Sequence, residues 1–404
     1  MHDAPNIRFL DRDTPPHIGT LILMTGLSAL AMNIFLPSLP DMAAYFQADY
    51  RVLQLSVALY LGTSAVLQLF IGPLADKLGR RPVTLYGIVL FLLATLGCIF
   101  APSAEVFLIF RMGQAVIAVC MVLGRAVVRD MYPQDKAASM IGYVTMGMAI
   151  VPMIGPVIGG VVGELFGWKA NFWLLFALGA LMFLLIRSDM GETGGKSGLT
   201  LAQQFGEYPE LLRSPRFWGY SLAMALSSGA FFAYLGGAPF IGSEIYGLEP
   251  STLGFYFGAP AVGYFLGNFL TGRFSTRVGI NAMILWGCIL CLIGISLSLA
   301  VTYLGLDSHY TFFGLMAFVG LGNGLCMPNA TAGMLSVRPH LAGTASGLGG
   351  SIMLAGGAAL SALAGALLTP ESGAFPLLWI MLITAVLSIL SIVLVISRQR
   401  KLGF

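Results

Sequence analysis

Residues 72–82 read GPLADKLGRRP, and the reading of this short stretch decides the fold. Apolar runs at 52–72 and 82–102 flank it. A run of about 20 apolar residues is long enough for a helix to cross a bilayer core of about 30 Å. The stretch is then a tight loop between two membrane-spanning helices. Gly72 and Gly79 permit close helix approach and a sharp turn, because they carry no Cβ. Asp76 can accept hydrogen bonds from a helix N-terminus or from an arginine. Lys77, Arg80 and Arg81 hold the loop at the cytoplasmic face. The same spacing returns 200 positions later, in Gly272-Arg-Phe-Ser-Thr276-Arg-Val-Gly279, with the acid missing. The chain is thus expected to contain two related halves that are not equivalent.

Composition extends this reading to the whole chain. Its 404 residues are 57% hydrophobic and 10% charged, with a mean hydropathy of +0.86. A soluble globular chain carries about 25% charged residues, so these charges are too few to cover a soluble surface. Apolar runs recur at 17–39, 52–72, 82–102, 106–128, 138–163, 170–187, 217–240, 252–272, 280–304, 310–335, 342–368 and 374–396. The expected fold is all-α and membrane-integral, with 12 transmembrane helices in two six-helix halves, 17–187 and 217–396. A polar linker, 188–216, separates the halves, and tails 1–16 and 397–404 flank them. The polar, mixed-charge start MHDAPNIRFLDRDTPP does not resemble a secretory signal, so the first run is expected to be retained as a helix.

Charge then sets the orientation. With the N-terminus inside, the outside loops carry Asp41, Asp49, Glu105, Glu164, Glu244, Glu249, Asp307 and Glu371, against only Arg51 and Lys169. The other Lys and Arg, apart from Arg111, lie in or beside the inside loops and tails. The positive-inside rule places both termini in the cytoplasm. Two six-helix halves related by a parallel repeat are a transporter architecture, with the site near the midplane between them.

Other classes find no support in the residues. The cysteines all fall inside apolar runs with no accompanying ligand set, and the histidines sit in tails or near segment ends. No metal site is expected. There is no G-x-x-x-x-G-K-[ST] and no intramembrane cluster of His, Asp or Ser, so neither a nucleotide-driven pump nor an enzyme is expected. The expectation is no cofactor and no nucleic acid. The expected partners are the bilayer, a small amphipathic drug or metabolite, and protons, with the chain a monomer.

The loop GPLADKLGRRP resembles the loop 2–3 signature of the major facilitator superfamily. Arg111-Met-Gly-Gln114 resembles its R-x-x-Q-G motif, with Ala115 in place of the last glycine. Gly155-Pro156-Val-Ile-Gly159-Gly160 resembles motif C of its proton-coupled antiporters. Further stretches resemble the bicyclomycin and chloramphenicol resistance (Bcr/CflA) branch of drug:proton antiporters. They are Leu36 to Pro40, VVRDMYP at 127–133, GWKANFW at 167–173, GAFFAYLGGAPF at 229–240 and AGTASGL at 342–348. The match runs from about residue 20 to 395. It implies secondary active drug efflux by alternating access, in the inner membrane of a bacterium, with antibiotic resistance as the outcome.

Particular residues carry these expectations. Arg111, two turns inside its span, either snorkels to the outer surface or serves as a cavity cation, and the resemblance implies the second. Gly155, Pro156, Gly159 and Gly160 suit a close helix interface that limits leak. Arg125, Arg129 and Asp130 are either a charged helix end or, as the resemblance implies, part of a charge relay with Asp76. Candidate cavity residues are Tyr60, Gln68, Gln114, Phe231, Phe232, Tyr234, Tyr256, Asn268, Asn323 and Asn329. The decisive departure is Asn33. The resembling branch usually reads A-x-D-x-Y-L-P here, whereas this chain reads Ala31-Met32-Asn33-Ile34-Phe35-Leu36-Pro37. An amide does not titrate. Three outcomes stay open: Asp41 carries the proton beside Arg111, a charged solute couples to the membrane potential, or the protein is a facilitator. In the last case Asn33 becomes a hydrogen-bonding group for a neutral solute.

Overall fold

The computed structural model describes residues 7–131, 144, 151, 154–193, 208–338 and 342–401; within them nothing is described of the side chains of Gly72, Asp76 and Arg129. The roles expected of those three side chains therefore lie outside what is described. The described chain is helical throughout, and ten of its helices are long and apolar enough to cross a membrane.

The first span is α1 (Ile18–Asn33) followed, after a 3-10 turn at Leu36–Ser38, by α2 (Leu39–Phe46). The sequence pattern ends this run at 39, but the structure carries it to Phe46. Each proline of Leu36 to Pro40 stands in the first turn of a new helical piece, where its missing N–H costs nothing. The prolines therefore kink the span without ending it. Next come α3 (Tyr50–Leu78) and α4 (Arg80–Ile99). The fourth span is α5 (Ala104–Gln114) and α6 (Ala118–Met131), broken by a 3-10 turn at Ala115–Ile117. Then α7 (Ile154–Phe166) is the described part of the fifth run, and α8 (Lys169–Asp189) is the sixth.

The short α9 (Tyr208–Leu212) lies in the linker, on the LAQQFGEYPELL stretch whose earlier residues are outside the described set. The second half runs through α10 (Pro215–Phe240), α11 (Pro250–Phe257) and α12 (Ala259–Val278). It continues as α13 (Ile280–Tyr303), α14 (His309–Leu315), α15 (Ala317–Leu335), α16 (Ala342–Leu367) and α17 (Phe375–Lys401). Here too the eighth and tenth runs are each broken once near their distal ends, at Gly258 and Met316.

The repeat legible in the sequence is also a repeat of backbone. Gly79 and Gly279 each close one helix and open the next, with φ of 102° and 87°. A side chain at such a φ is strained, which is why both copies keep glycine.

The halves meet mainly along α3 and α16. The Ser351 hydroxyl donates to the Ala65 carbonyl at 3.0 Å, and a Cβ on Gly62 would sit 3.8 Å from that of Ala358. They also meet at the end of the bundle opposite the termini. A Cβ at Gly160 would collide with the Pro250 carbonyl, and one at Gly254 with the Pro156 carbonyl. The Ser251 N–H donates to Glu164 at 3.2 Å, and the Tyr50 and Phe240 rings lie 5.3 Å apart. At the termini end the described bonds run within one half or to the linker, as in Arg80–Asp130 at 3.1 Å and Arg338–Glu210 at 2.7 Å.

Candidate functional site

A cavity of about 170 Å³ lies between the halves. Its walls come from both: Met32 of α1, Tyr60 of α3 and Met121 of α6 face Phe231 and Phe232 of α10, Asn323 of α15 and Met353 of α16. Most of the lining is apolar, and methionine supplies adaptable surface. Its few polar groups include Ser28, Ser64, Ser228 and Asn323, whose Oδ1 accepts from the Ser227 hydroxyl at 3.0 Å.

Behind the Tyr60 wall stands Arg111, fully buried. Its guanidinium is sandwiched between aromatic rings, 4.1 Å from the Tyr60 centroid and 4.4 Å from that of Phe35. One terminal nitrogen donates to Gln114 Oε1 at 2.8 Å, and the other to the Met32 carbonyl at 3.3 Å. Gln114 passes the chain on, donating to Thr95 Oγ1 at 2.8 Å, and Thr95 donates to the Phe91 carbonyl at 2.7 Å. Local structure explains this geometry. Met32 lies in the last turn of α1, where carbonyls lack helical partners and the helix dipole favours a cation. The break after Gln114 turns the fourth span at the same level. Among the described residues, no carboxylate forms an ion pair with Arg111. Its charge is met by π faces, one carbonyl and one amide oxygen. Arg111 therefore does not snorkel: it is a buried cation behind the cavity wall.

Asn33 is the last residue of α1, one position beyond the carbonyl that receives Arg111. It is buried, and neither amide atom has a hydrogen-bond partner among the described residues. An orphaned buried amide costs about 1–3 kcal/mol. The side chain does not reach the cavity surface described above.

The other sequence candidates separate. Tyr60, Phe231, Phe232 and Asn323 line the cavity. Tyr234 packs deeper in the second half against Phe257 and Phe313, and Tyr256 stacks on Phe313. Asn268 donates back to its own helix at Tyr264, while Asn329 joins α15 to Thr271 and Ser275 of α12. Gln68 abuts Gly350 on the α3–α16 seam. Asp41 is exposed in the first turn of α2, at the distal end.

Two charged sites at the ends of spans are completed by acids that the sequence did not single out, Glu192 and Asp189. Glu192 accepts from the backbone N–H groups of Arg80 and Arg81, at 2.7 and 3.3 Å, and so caps α4. Arg80 adds the ion pair to Asp130, Arg81 donates to the Arg187 carbonyl at 3.0 Å, and Arg125 turns back to the Met121 carbonyl. Asp189 is buried and accepts from Leu10 N, His17 N and the Thr20 hydroxyl at 2.7, 2.9 and 2.6 Å. At the distal end, Asn171 donates to Ser38 and to the Gly159 carbonyl, at 3.3 and 3.0 Å, tying α8 to the α1 kink and to α7. These partners are separated by up to 179 residues, so no local pattern marks them.

A cavity shared by two repeated helical halves, backed by an intramembrane cation, defines a membrane transporter. Comparison with known proteins gives the family. The Major Facilitator Superfamily model matches residues 21–362 and 243–402. The chain belongs to the Major Facilitator Superfamily and is a multi-pass protein of the bacterial inner membrane. It is 28% identical to a bicyclomycin resistance protein homolog of Haemophilus influenzae, over 95% of this chain and 97% of that one. It is 30% identical to a chloramphenicol resistance protein of Pseudomonas aeruginosa, over 81% and 78%. These relatives agree with the Bcr/CflA branch that the sequence resembles. Among solved structures, a peptide transporter POT in complex with sulfate aligns with a TM-score of 0.79, at 12% identity and 96% and 95% coverage.

Proposed function

We propose that this chain exports drug-sized amphipathic solutes, antibiotics among them, by alternating access. In this reading twelve spans form the halves 17–187 and 217–396 around the linker 188–216, with both termini cytoplasmic. The observation that carries it is the apolar cavity between the halves, walled by Tyr60, Phe231, Phe232 and methionines. At about 170 Å³ it is smaller than the roughly 300 Å³ of an ordinary drug site. A drug would enter by parting the halves at the termini end, where the described bonds run within one half or to the linker.

Electrostatics narrows the solute class. Arg111 supplies a positive charge behind the wall, and no acid lines the cavity among the described residues. Neutral or anionic amphiphiles, such as phenicols, fit this site better than cationic drugs. The resemblance implies proton coupling, with Asp41 as the remaining candidate carrier. The second reading is a proton-independent exporter or facilitator, of a drug or a small metabolite. It is favoured by the buried amide of Asn33, unpartnered among the described residues, where the branch carries its acid.

The test uses purified protein in liposomes with an internal pH dye, a phenicol and a cationic dye as alternative solutes, and an imposed pH gradient. Phenicol flux with proton flux supports the antiporter, and loss of both in Asp41→Asn would assign the carrier. Phenicol flux without proton flux, with coupling appearing in Asn33→Asp, supports the second reading. Transport of the cationic dye alone would overturn the charge argument.

A further inference from the structure

At the distal end of the seam, the first turns of α3 press polar groups against the other half and leave their hydrogen bonds unmade. The Tyr50 hydroxyl is buried and has no partner among the described residues. Its ring packs on Phe240 of α10, with centroids 5.3 Å apart. One turn further along, Gln54 is 2% exposed, and neither its Nε2 nor its Oε1 has a partner among the described residues. Its side chain lies flat against Gly365 of α16, in the space that a Cβ there would take. Phenylalanine and methionine would fill these two places without the cost of stripping water from a polar group.

The same stretch of helix also carries a bond that favours closure. Exposed Arg51 donates to the Leu368 carbonyl across the seam at 3.3 Å. Arg51, Gln54 and Gly365 line a cleft of about 220 Å³ at this end, which gives water a way to the amide once the seam parts. A group that is unsatisfied in one state and hydrated in the other biases the equilibrium toward the second. We infer that Tyr50 and Gln54 are positioning residues for transport: their unmade hydrogen bonds penalise the distal-closed state and return the halves to the distal-open one. They offset the close backbone contacts of Gly160 and Gly254, which hold the distal end shut. The inference rests on the rocking of the halves proposed above.

The test measures the two populations directly. Glu105→Cys and Leu306→Cys put one spin label on each half, at exposed distal positions, and the native cysteines are buried. Double electron–electron resonance in nanodiscs, with and without a phenicol, then reads the ratio of short to long distances. In this background Tyr50→Phe and Gln54→Met are each expected to move the ratio about tenfold toward the short, distal-closed distance, the worth of one unmade buried hydrogen bond. Ser351→Ala is the control. It removes a hydroxyl whose bond to the Ala65 carbonyl is made across the same seam, so it is expected not to favour closure. Two populations whose ratio neither Tyr50→Phe nor Gln54→Met moves toward closure would overturn the inference and leave rocking standing. An equal shift in Ser351→Ala would overturn it too, since any apolar substitution on the seam would then suffice. One unchanging distance in every protein would overturn rocking and the inference together.

Discussion

Arg111 carries its charge inside the membrane with no ion-paired acid among the described residues. Two aromatic faces, one amide oxygen and a helix-terminal carbonyl share the guanidinium. Planarity suits that arrangement, because the guanidinium can lie over aromatic rings while its two terminal nitrogens donate. Lysine keeps the charge but neither the stacking nor the paired edge contacts. Arg111→Lys is therefore expected to fold and reach the membrane, yet transport phenicol about tenfold more slowly, since desolvated cation–π contacts are worth about 1–2 kcal/mol. Drug flux in proteoliposomes checks this; a Lys variant at full rate would mean that charge alone suffices. The depth of Arg111 in an apolar run left snorkelling and a cavity role both open, and its burial behind the cavity wall came only with the structure. Its stacking on Phe35 and Tyr60 was not legible either, because those residues lie on other spans.

At the level of elements, breaks and close contacts position the site. The kink at Leu36–Ser38 and the one at Ala115–Ile117 bring the end of α1 to Arg111. The glycines of α7 then seat that helix against its neighbours. A Cβ at Gly159 would collide with the Ile34 carbonyl, and one at Gly155 would lie 3.0 Å from Leu30. Gly159→Ala is expected to destabilise the protein by about 1–3 kcal/mol, the usual cost of overpacking. A thermal-melt comparison with Gly167→Ala is a poor control, because Gly167 has φ of 81° and is itself strained on substitution. Gly314, where a Cβ meets nothing within 4 Å, is the suitable control, and Gly314→Ala is expected to melt as wild type. Glu192 makes a separate prediction. Removing its cap in Glu192→Ala should cost about 1 kcal/mol, in the range of other helix caps. A melting temperature unchanged in that variant would show the cap to be energetically idle.

For the whole molecule, the seam between the halves is the feature with consequences. It is closed at the distal end by backbone-to-backbone contacts of Gly160 with Pro250 and of Gly254 with Pro156. If the halves rock as proposed, these contacts part for a solute to leave. Glu164→Cys combined with Ser251→Cys puts one thiol on each half, beside the contact in which the Ser251 N–H donates to the Glu164 carboxylate at 3.2 Å. Oxidative crosslinking of that pair is expected to abolish phenicol export and reduction to restore it. Export at full rate in the crosslinked protein would sink the rocking model.

The sequence by itself determined the membrane class, the repeat and the family. Each rests on properties that are local in the chain: the length of apolar runs, the glycine spacing at 72–79 and 272–279, and the side on which Lys and Arg collect. Such signals survive without a fold because bilayer thickness and backbone sterics act on each segment separately. Only the tertiary structure decided which polar residues meet. It put Tyr60 and Phe232 on facing walls of one cavity, set Tyr234, Asn268 and Asn329 elsewhere, and left Asn33 buried without a partner among the described residues. It also supplied Glu192, Asp189 and Asn171, whose partners lie far away in the chain. The physical reason is that hydrogen bonds and ring contacts depend on a few ångströms between helices. Helix breaks and crossings set those distances, and periodicity within one helix does not.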